Sequence, residues 1–362
     1  MAEWPLPPSS TIGILGGGQL GRMLAAAASR LGLKVHIFCP EANAPAFDVA
    51  ARATIASYSD LSAISEFAEA VDVVTFEFEN IPAAALQHIE NIRRVLPSAR
   101  SLAVSQDRLS EKKLFDHLSL PVAPFAEVAS IETLELAVAN IGRPAILKTR
   151  RLGYDGKGQV KIDDATDLAH AFAAIGSATA VLDTFVPFTS EISILTVRSA
   201  DGEIRAYDPV ENAHENQMLA ESRVPARIPV SIAESTPEIA RKIVTELDHV
   251  GMLAVEMFYC MDDTENPLLI NEIAPRVHNS GHWTLDACLV SQFENHIRAV
   301  AGWPLGSVRR HCDCVMVNLT GEDANRWPQL AADDSIALHL YGKEEPRQRR
   351  KMGHFTRLSR KT

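Results

Sequence analysis

Two carboxylates interrupt otherwise apolar runs in the second half of the chain. Glu256 lies in the run Leu253-Ala254-Val255-Glu256-Met257-Phe258-Tyr259 and Glu272 in Leu268-Leu269-Ile270-Asn271-Glu272-Ile273, with the turn-rich Asp262-Asp263-Thr264-Glu265-Asn266-Pro267 between them. An antiparallel hairpin centred on Thr264 sets Glu256 opposite Glu272, roughly 5 Å apart at Cβ, where like charges destabilise each other. A shared cation removes that conflict, and all-oxygen donors with a phosphate nearby favour magnesium. The competing reading is a pair of solvated charges on a strand face open to water. Asn271 is expected to point to the other face unless the strand twists or bulges there.

Three further segments could meet a phosphate. Lys148 ends the apolar run 145–148 and leads into Gly153-Tyr154-Asp155-Gly156-Lys157-Gly158-Gln159, a basic glycine loop able to close over a polyphosphate. It is not a Walker A sequence, and as a plain hairpin turn it would be oddly long and cationic. Gly16-Gly17-Gly18-Gln19-Leu20-Gly21 matches G-x-G-x-x-G after a strand-like run, and Glu41 follows twenty residues past Gly21. That pattern is compatible with a nicotinamide dinucleotide, with any other anion at a helix N-terminus, or with a purely structural tight turn. The third segment, 347–362, holds seven basic residues and no acid. It reads either as a solvated end or as a local anion site.

The elements that must position these groups fall into three stretches. Residues 11–100 alternate short apolar strands (12–15, 35–38, 71–76) with helical segments such as 19–31, the pattern of a parallel sheet covered by helices. A helical linker at about 107–118 follows. From 122 to about 300 strands become more numerous, with helices between them, giving an α+β region with a mixed or antiparallel sheet. Strand-like runs at 315–319 and 336–341 predict a small β-rich C-terminal lobe. The expected domains are 1–105, 106–300 and 301–362, with residues 1–10 as a floppy arm.

Composition narrows the function classes. The chain has 362 residues, 46% hydrophobic and 22% charged, as in folded globular proteins. A net charge of −11 argues against a nucleic-acid binder. No window approaches the roughly 18 apolar residues of a membrane span, and the start lacks the features of a secretory signal. Five scattered cysteines fit a reducing cytoplasm better than a disulfide framework. Cys312-Asp313-Cys314 lacks a second ligand pair at zinc spacing and runs into a strand.

Taken in order, Lys148, the 153–159 loop, Asp183-Thr184-Phe185-Val186, Glu191, Glu256 and Asn271-Glu272 resemble the ATP-grasp family over essentially the whole chain. The run Asn271-Glu272-Ile273-Ala274-Pro275-Arg276-Val277-His278-Asn279-Ser280-Gly281-His282-Trp283-Thr284 is more specific. It is similar to the signature of the 5-(carboxyamino)imidazole ribonucleotide synthases within that family. Thr75-Phe76-Glu77-Phe78-Glu79-Asn80 and Arg108 fit the same group. The resemblance implies an ATP-grasp fold of mixed α/β and α+β class, with a Rossmann-like pre-ATP-grasp domain and a small β-rich C-terminal domain.

It also implies roles. Arg108 and Lys148 would contact ATP phosphates, with the loop Gly153, Tyr154, Asp155, Gly156, Lys157, Gly158 and Gln159 covering them. The backbone of Asp183, Thr184, Phe185 and Val186 would meet adenine, Glu191 the ribose hydroxyls with His214 nearby, and Asn271 and Glu272 the nucleotide. Glu256 and Glu272 would ligate magnesium, two ions in all. Glu77, Glu79, Tyr154, Lys157, His278, Asn279, Ser280, Lys343, Arg350 and Lys351 would bind aminoimidazole ribonucleotide. Asp155, Arg276 and Lys343 would be catalytic. Asp183 stands where the family commonly has glutamate, a change expected to matter little if only backbone meets adenine. The tail departs from the family pattern, leaving open which of Arg349, Arg350 and Lys351 takes the substrate phosphate. The implied chemistry joins bicarbonate, ATP and the ribonucleotide in a cytoplasmic homodimer of purine biosynthesis. Another purine-pathway ATP-grasp ligase, a silent ATP-binding scaffold and an NAD oxidoreductase are the rivals.

Overall fold

The computed structural model describes residues 4–153, 158–176, 178–263 and 265–361. Among these, the first sheet consists of β1 (Thr11–Leu15), β2 (Lys34–Cys39), β3 (Arg52–Ile55) and β4 (Val73–Phe76), all parallel in the order β3-β2-β1-β4. The inner strands are buried beyond their first residues, because helices Gln19–Arg30, Leu61–Glu69 and Ala83–Glu90 cover the sheet. This is the doubly wound pattern expected from the sequence.

The second sheet is antiparallel, β5 (Phe125–Val128), β6 (Ala145–Thr149), β7 (Gln159–Ile162) and β8 (Ala180–Thr184), in the order β5-β8-β6-β7. Helices Ile131–Ile141 and Leu168–Ala174 close its apolar face. The helix Arg108–His117 forms the linker, with Asp107 as N-cap accepting from the backbone N–H groups of Leu109 and Ser110.

The third sheet is the largest. It contains β9 (Ser190–Arg198), β10 (Ile204–Ala206), β11 (Val210–Glu215), β12 (Met218–Val224), β13 (Gly251–Tyr259), β14 (Leu268–Ala274), β15 (Asp313–Thr320), β16 (Ile336–Leu340) and β17 (Lys351–Ser359). The path is β14-β13-β9-β11-β12-β15-β17-β16, with β10 paired to β9. The β-rich C-terminal segment is present, and its strands continue this sheet through the β12–β15 pairing.

Two expectations about the ends change. The basic run is not a solvated tail: residues 351–359 form β17, hydrogen-bonded between β15 and β16. The supposed floppy arm is docked from Trp4 onward. Leu6 is fully buried, donates its backbone N–H to the Ala301 carbonyl and accepts from the Trp303 indole. Trp4 packs beneath the Arg94 guanidinium. Proline-rich polarity suggested an unbound segment, but two apolar side chains suffice to anchor it.

Candidate functional site

The hairpin of β13 and β14 carries the two carboxylates. Glu256 pairs directly with Glu272, and the register slips by one immediately afterward, so that Met257 faces Ile270. Asn271 is the extra residue of that β-bulge. A bulge re-aims a side chain that alternation would send to the other face, and Asn271 lines the same pocket as Lys148 and Asp183. Thr264, the expected centre of symmetry, lies outside the described residues.

Each carboxylate has a basic neighbour. Glu272 accepts from Arg108 at 3.1 Å, and Glu256 meets His278 Nε2 at 2.9 Å. Burial alone would raise the Glu256 carboxyl, but His278, His214 and Lys351 together hold it down, to about 2. A third carboxyl, Glu111, accepts from the Ile273 backbone N–H at 2.7 Å. Burial and the Glu272 charge push it up to about 8 against Arg108 and Lys112. Sequence reading missed Glu111. Its only signal is an acid on the buried face of an amphipathic helix.

Beside the hairpin lies an apolar pocket. Ala123, Ile146, Phe188, Phe258 and Ile270 line it with Thr184, Phe185, Val186 and Asn271, and Lys112, Lys148 and Asp183 stand at its polar end. Phe188 and Phe258 stack with ring centroids 4.7 Å apart. Asp183 is far from indifferent. Its carboxylate lies 2.9 Å from the partly buried Lys148 and 3.1 Å from the buried Lys112. Burial would raise its carboxyl, and the two ammonium groups pull it below the usual range. Lys112 was not anticipated. Farther along the sheet Glu191 and His214 pair at 2.9 Å across β9 and β11. Gly153 accepts from Arg108 through its carbonyl, and Gln159 donates to Gln217. Tyr154, Asp155, Gly156 and Lys157 lie outside the described residues.

The glycine loop at the N-terminus is already occupied. Glu77 directs its carboxylate onto the backbone N–H groups of Gly18 and Gly21, at the start of the helix Gln19–Arg30. A Cβ at Gly16 would come within 2.4 Å of Glu77, and one at Gly18 within 2.7 Å. The glycines admit an internal carboxylate, so a dinucleotide pyrophosphate would have to displace it.

Around this capped loop three regions of the chain meet. Glu79 pairs with Arg276 at 2.7 Å, and Lys343 donates to Gln19 Oε1 at 2.8 Å and to the Lys351 carbonyl at 2.7 Å. Burial lowers the Lys343 ammonium to about 8, with Arg350 and Lys351 adding to the effect and Glu77 opposing it. Arg350 donates to the Glu345 carbonyl and Arg349 to that of Asn216. The signature loop is held from behind. Asn279 exchanges amide hydrogen bonds with Asn318, and Ser280 bonds Ser193 and His278. Gln292 accepts from the His278 N–H and donates to its carbonyl. The side chains of Asn279 and Ser280, expected to touch substrate, thus have internal partners, and Ser280 and Gln292 fix His278.

The chain matches three family descriptions: the ribonucleotide synthetase preATP-grasp domain over residues 9–106, the ATP-grasp domain over 113–293, and the phosphoribosylaminoimidazole carboxylase C-terminal domain over 314–362. It is 49% identical to the N5-carboxyaminoimidazole ribonucleotide synthase of Brucella melitensis, covering 100% of both chains. It is 43% identical to an N5-carboxyaminoimidazole ribonucleotide synthetase solved as its ADP complex, with TM-score 0.93 over 98% of this chain and 93% of the other. A synthase from Aspergillus clavatus, solved with ADP and 5-aminoimidazole ribonucleotide, is 28% identical with TM-score 0.90, over 98% and 94%.

Proposed function

The chain belongs to the N5-carboxyaminoimidazole ribonucleotide synthases, ATP-dependent carboxylating ligases of the ATP-grasp family, and from that premise we propose how its residues divide the reaction. ATP places adenine in the apolar pocket between Ile146 and Phe258, with the 184–186 backbone at its edge and Lys148 reaching the phosphates. Glu191 takes the ribose hydroxyls, with His214 holding it in place. The nucleotide phosphates replace Asp183 as partners of the lysines in part, so the charge there stays balanced. Glu256, Glu272 and the bulged Asn271 form an all-oxygen donor set that fits magnesium. When bound, the metal neutralises phosphate charge during transfer.

The ribonucleotide sits where Glu79, Arg276 and Lys343 converge, its phosphate against Lys343 and Arg350. Bicarbonate oxygen attacks the γ-phosphorus and ADP leaves, giving carboxyphosphate. Attack by the exocyclic amine on the carboxyl carbon then forms the carbamate nitrogen–carbon bond and releases phosphate. Asp155 takes the amine proton, and Arg276 stabilises the carboxylate being transferred. His278, fixed from behind by Ser280 and Gln292, orients Glu256. A homodimer in the cytoplasm belongs to the same proposal.

The convergence of Arg276, Lys343 and Glu79 from three regions carries this reading. The test is ADP release with 5-aminoimidazole ribonucleotide, in buffer depleted of bicarbonate and then restored. Release that requires both compounds is expected. Release indifferent to bicarbonate would assign the chain another acceptor chemistry.

A further inference from the structure

Away from that site, the paired strands β16 and β17 and the short helix Thr284–Ala287 bring together Asp286, His339 and His354. His339 and His354 are directly opposite in the register, and their rings stack 4.5 Å apart. Both carboxylate oxygens of Asp286 lie about one hydrogen bond from His339 Nε2, at 2.9 and 3.0 Å. One donor atom from each of the three residues lies within 4.8 Å of the others.

A second observation points to a ligand. His354 is fully buried, its Nδ1 bonds the Tyr341 hydroxyl at 2.8 Å, and its Nε2 has no hydrogen-bond partner. His282, also fully buried and 4.9 Å away ring to ring, has an unpartnered Nε2 as well. An imidazole whose other nitrogen is engaged by an oxygen is the usual form of a metal-bound histidine. Leaving the His354 nitrogen bare in the interior is costly unless something occupies the space.

We propose that Asp286, His339 and His354 form a binding site for a borderline divalent transition metal such as zinc, which staples the C-terminal hairpin to the helix following the signature loop. The donor set, two imidazoles and one carboxylate, is that of zinc rather than of magnesium. Tetrahedral zinc needs donors about 3.3 Å apart, so the side chains close on the ion by small rotations. His339, whose side chain is 30% exposed, gives the ion its entry path.

The site is tested on the whole protein with zinc chloride and cobalt chloride as probes. Expected results are one zinc per chain after dialysis and cobalt absorption bands of a four-coordinate site. At a hundredfold excess over Kd, Tm should rise by roughly 3–4 °C. His339→Ala, at a half-buried position where folding is preserved, should weaken zinc at least tenfold, and Asp286→Asn should also weaken it. No retained zinc in the wild-type protein overturns the proposal. So does zinc binding that survives both variants and disappears in Glu256→Gln, which would place the ion at the hairpin carboxylates.

Discussion

Single residues carry more than their type suggests. Asp183 looked like a conservative departure whose side chain mattered little, yet it neutralises two lysines at once. Breaking a buried pair is costly because it strands the remaining charge, and here two lysines depend on the one carboxylate. Lys343 shows how burial can set a working pH. Its ammonium is lowered to about 8, so it is charged below that pH and neutral above it. In the proposed phosphate role, kcat/KM for 5-aminoimidazole ribonucleotide should fall as pH rises through about 8. Stability should move the other way, since above pH 8 the unfolded chain holds the lysine proton more tightly than the folded one. A pH profile of kcat/KM beside thermal melts at the same pH values separates the two. Lys343→Arg should keep the rate while removing that limb, because a guanidinium does not titrate there.

At the scale of elements, the bulge in β14 is the feature that alternation could not reveal. Period-two reasoning placed Glu256 opposite Glu272 correctly, and the pairing holds. It also sent Asn271 to the wrong side unless the strand bulged, and one inserted residue supplies the bulge. The N-terminal arm makes a similar point. Leu6 packs into the main core beside the helix Gln292–Ala301 and hydrogen-bonds Ala301. Leu6→Ala should therefore lower stability by about 2–5 kcal/mol, read from urea denaturation. KM values for both substrates should stay unchanged, since the arm meets no residue placed in the reaction. An unchanged midpoint would mean that the arm is loosely held after all.

Across the whole molecule, the second sheet packs on a core of its own, while one apolar cluster joins the first sheet, the third sheet and the C-terminal strands. It runs from Ile12, Leu24 and Val35 of the first sheet through Leu195, Trp283 and Phe293 to Cys314 and Met316 of the C-terminal strands. Regions distinct in sequence pattern therefore share a core, and separating them would expose apolar surface on both sides. The first sheet and the C-terminal strands should therefore melt together in calorimetry, and residues 1–105 expressed alone should not give a cooperative melt. A cooperative melt of residues 1–105 alone would show that the first sheet folds on its own. The net charge of −11 and the basic strand β17 also coexist at this scale. Local placement, not overall charge, decides what a basic run can bind.

The sequence by itself determined the parallel N-terminal sheet, the opposed Glu256 and Glu272, and the family. These depend on local periodicity and on contiguous motifs such as 271–284, which read the same before and after folding. The tertiary structure decided what depends on residues far apart in the chain. Glu77 caps the glycine loop from 56 residues away, a contact that turns a dinucleotide-like motif into an internally filled turn. Glu111, Lys112 and Gln292 enter the site from elements whose sequence marks them only as helical. The basic C-terminal run becomes a strand because β15 and β16 offer it backbone partners, and a hydrogen-bond ladder between distant segments leaves no period in the sequence to read.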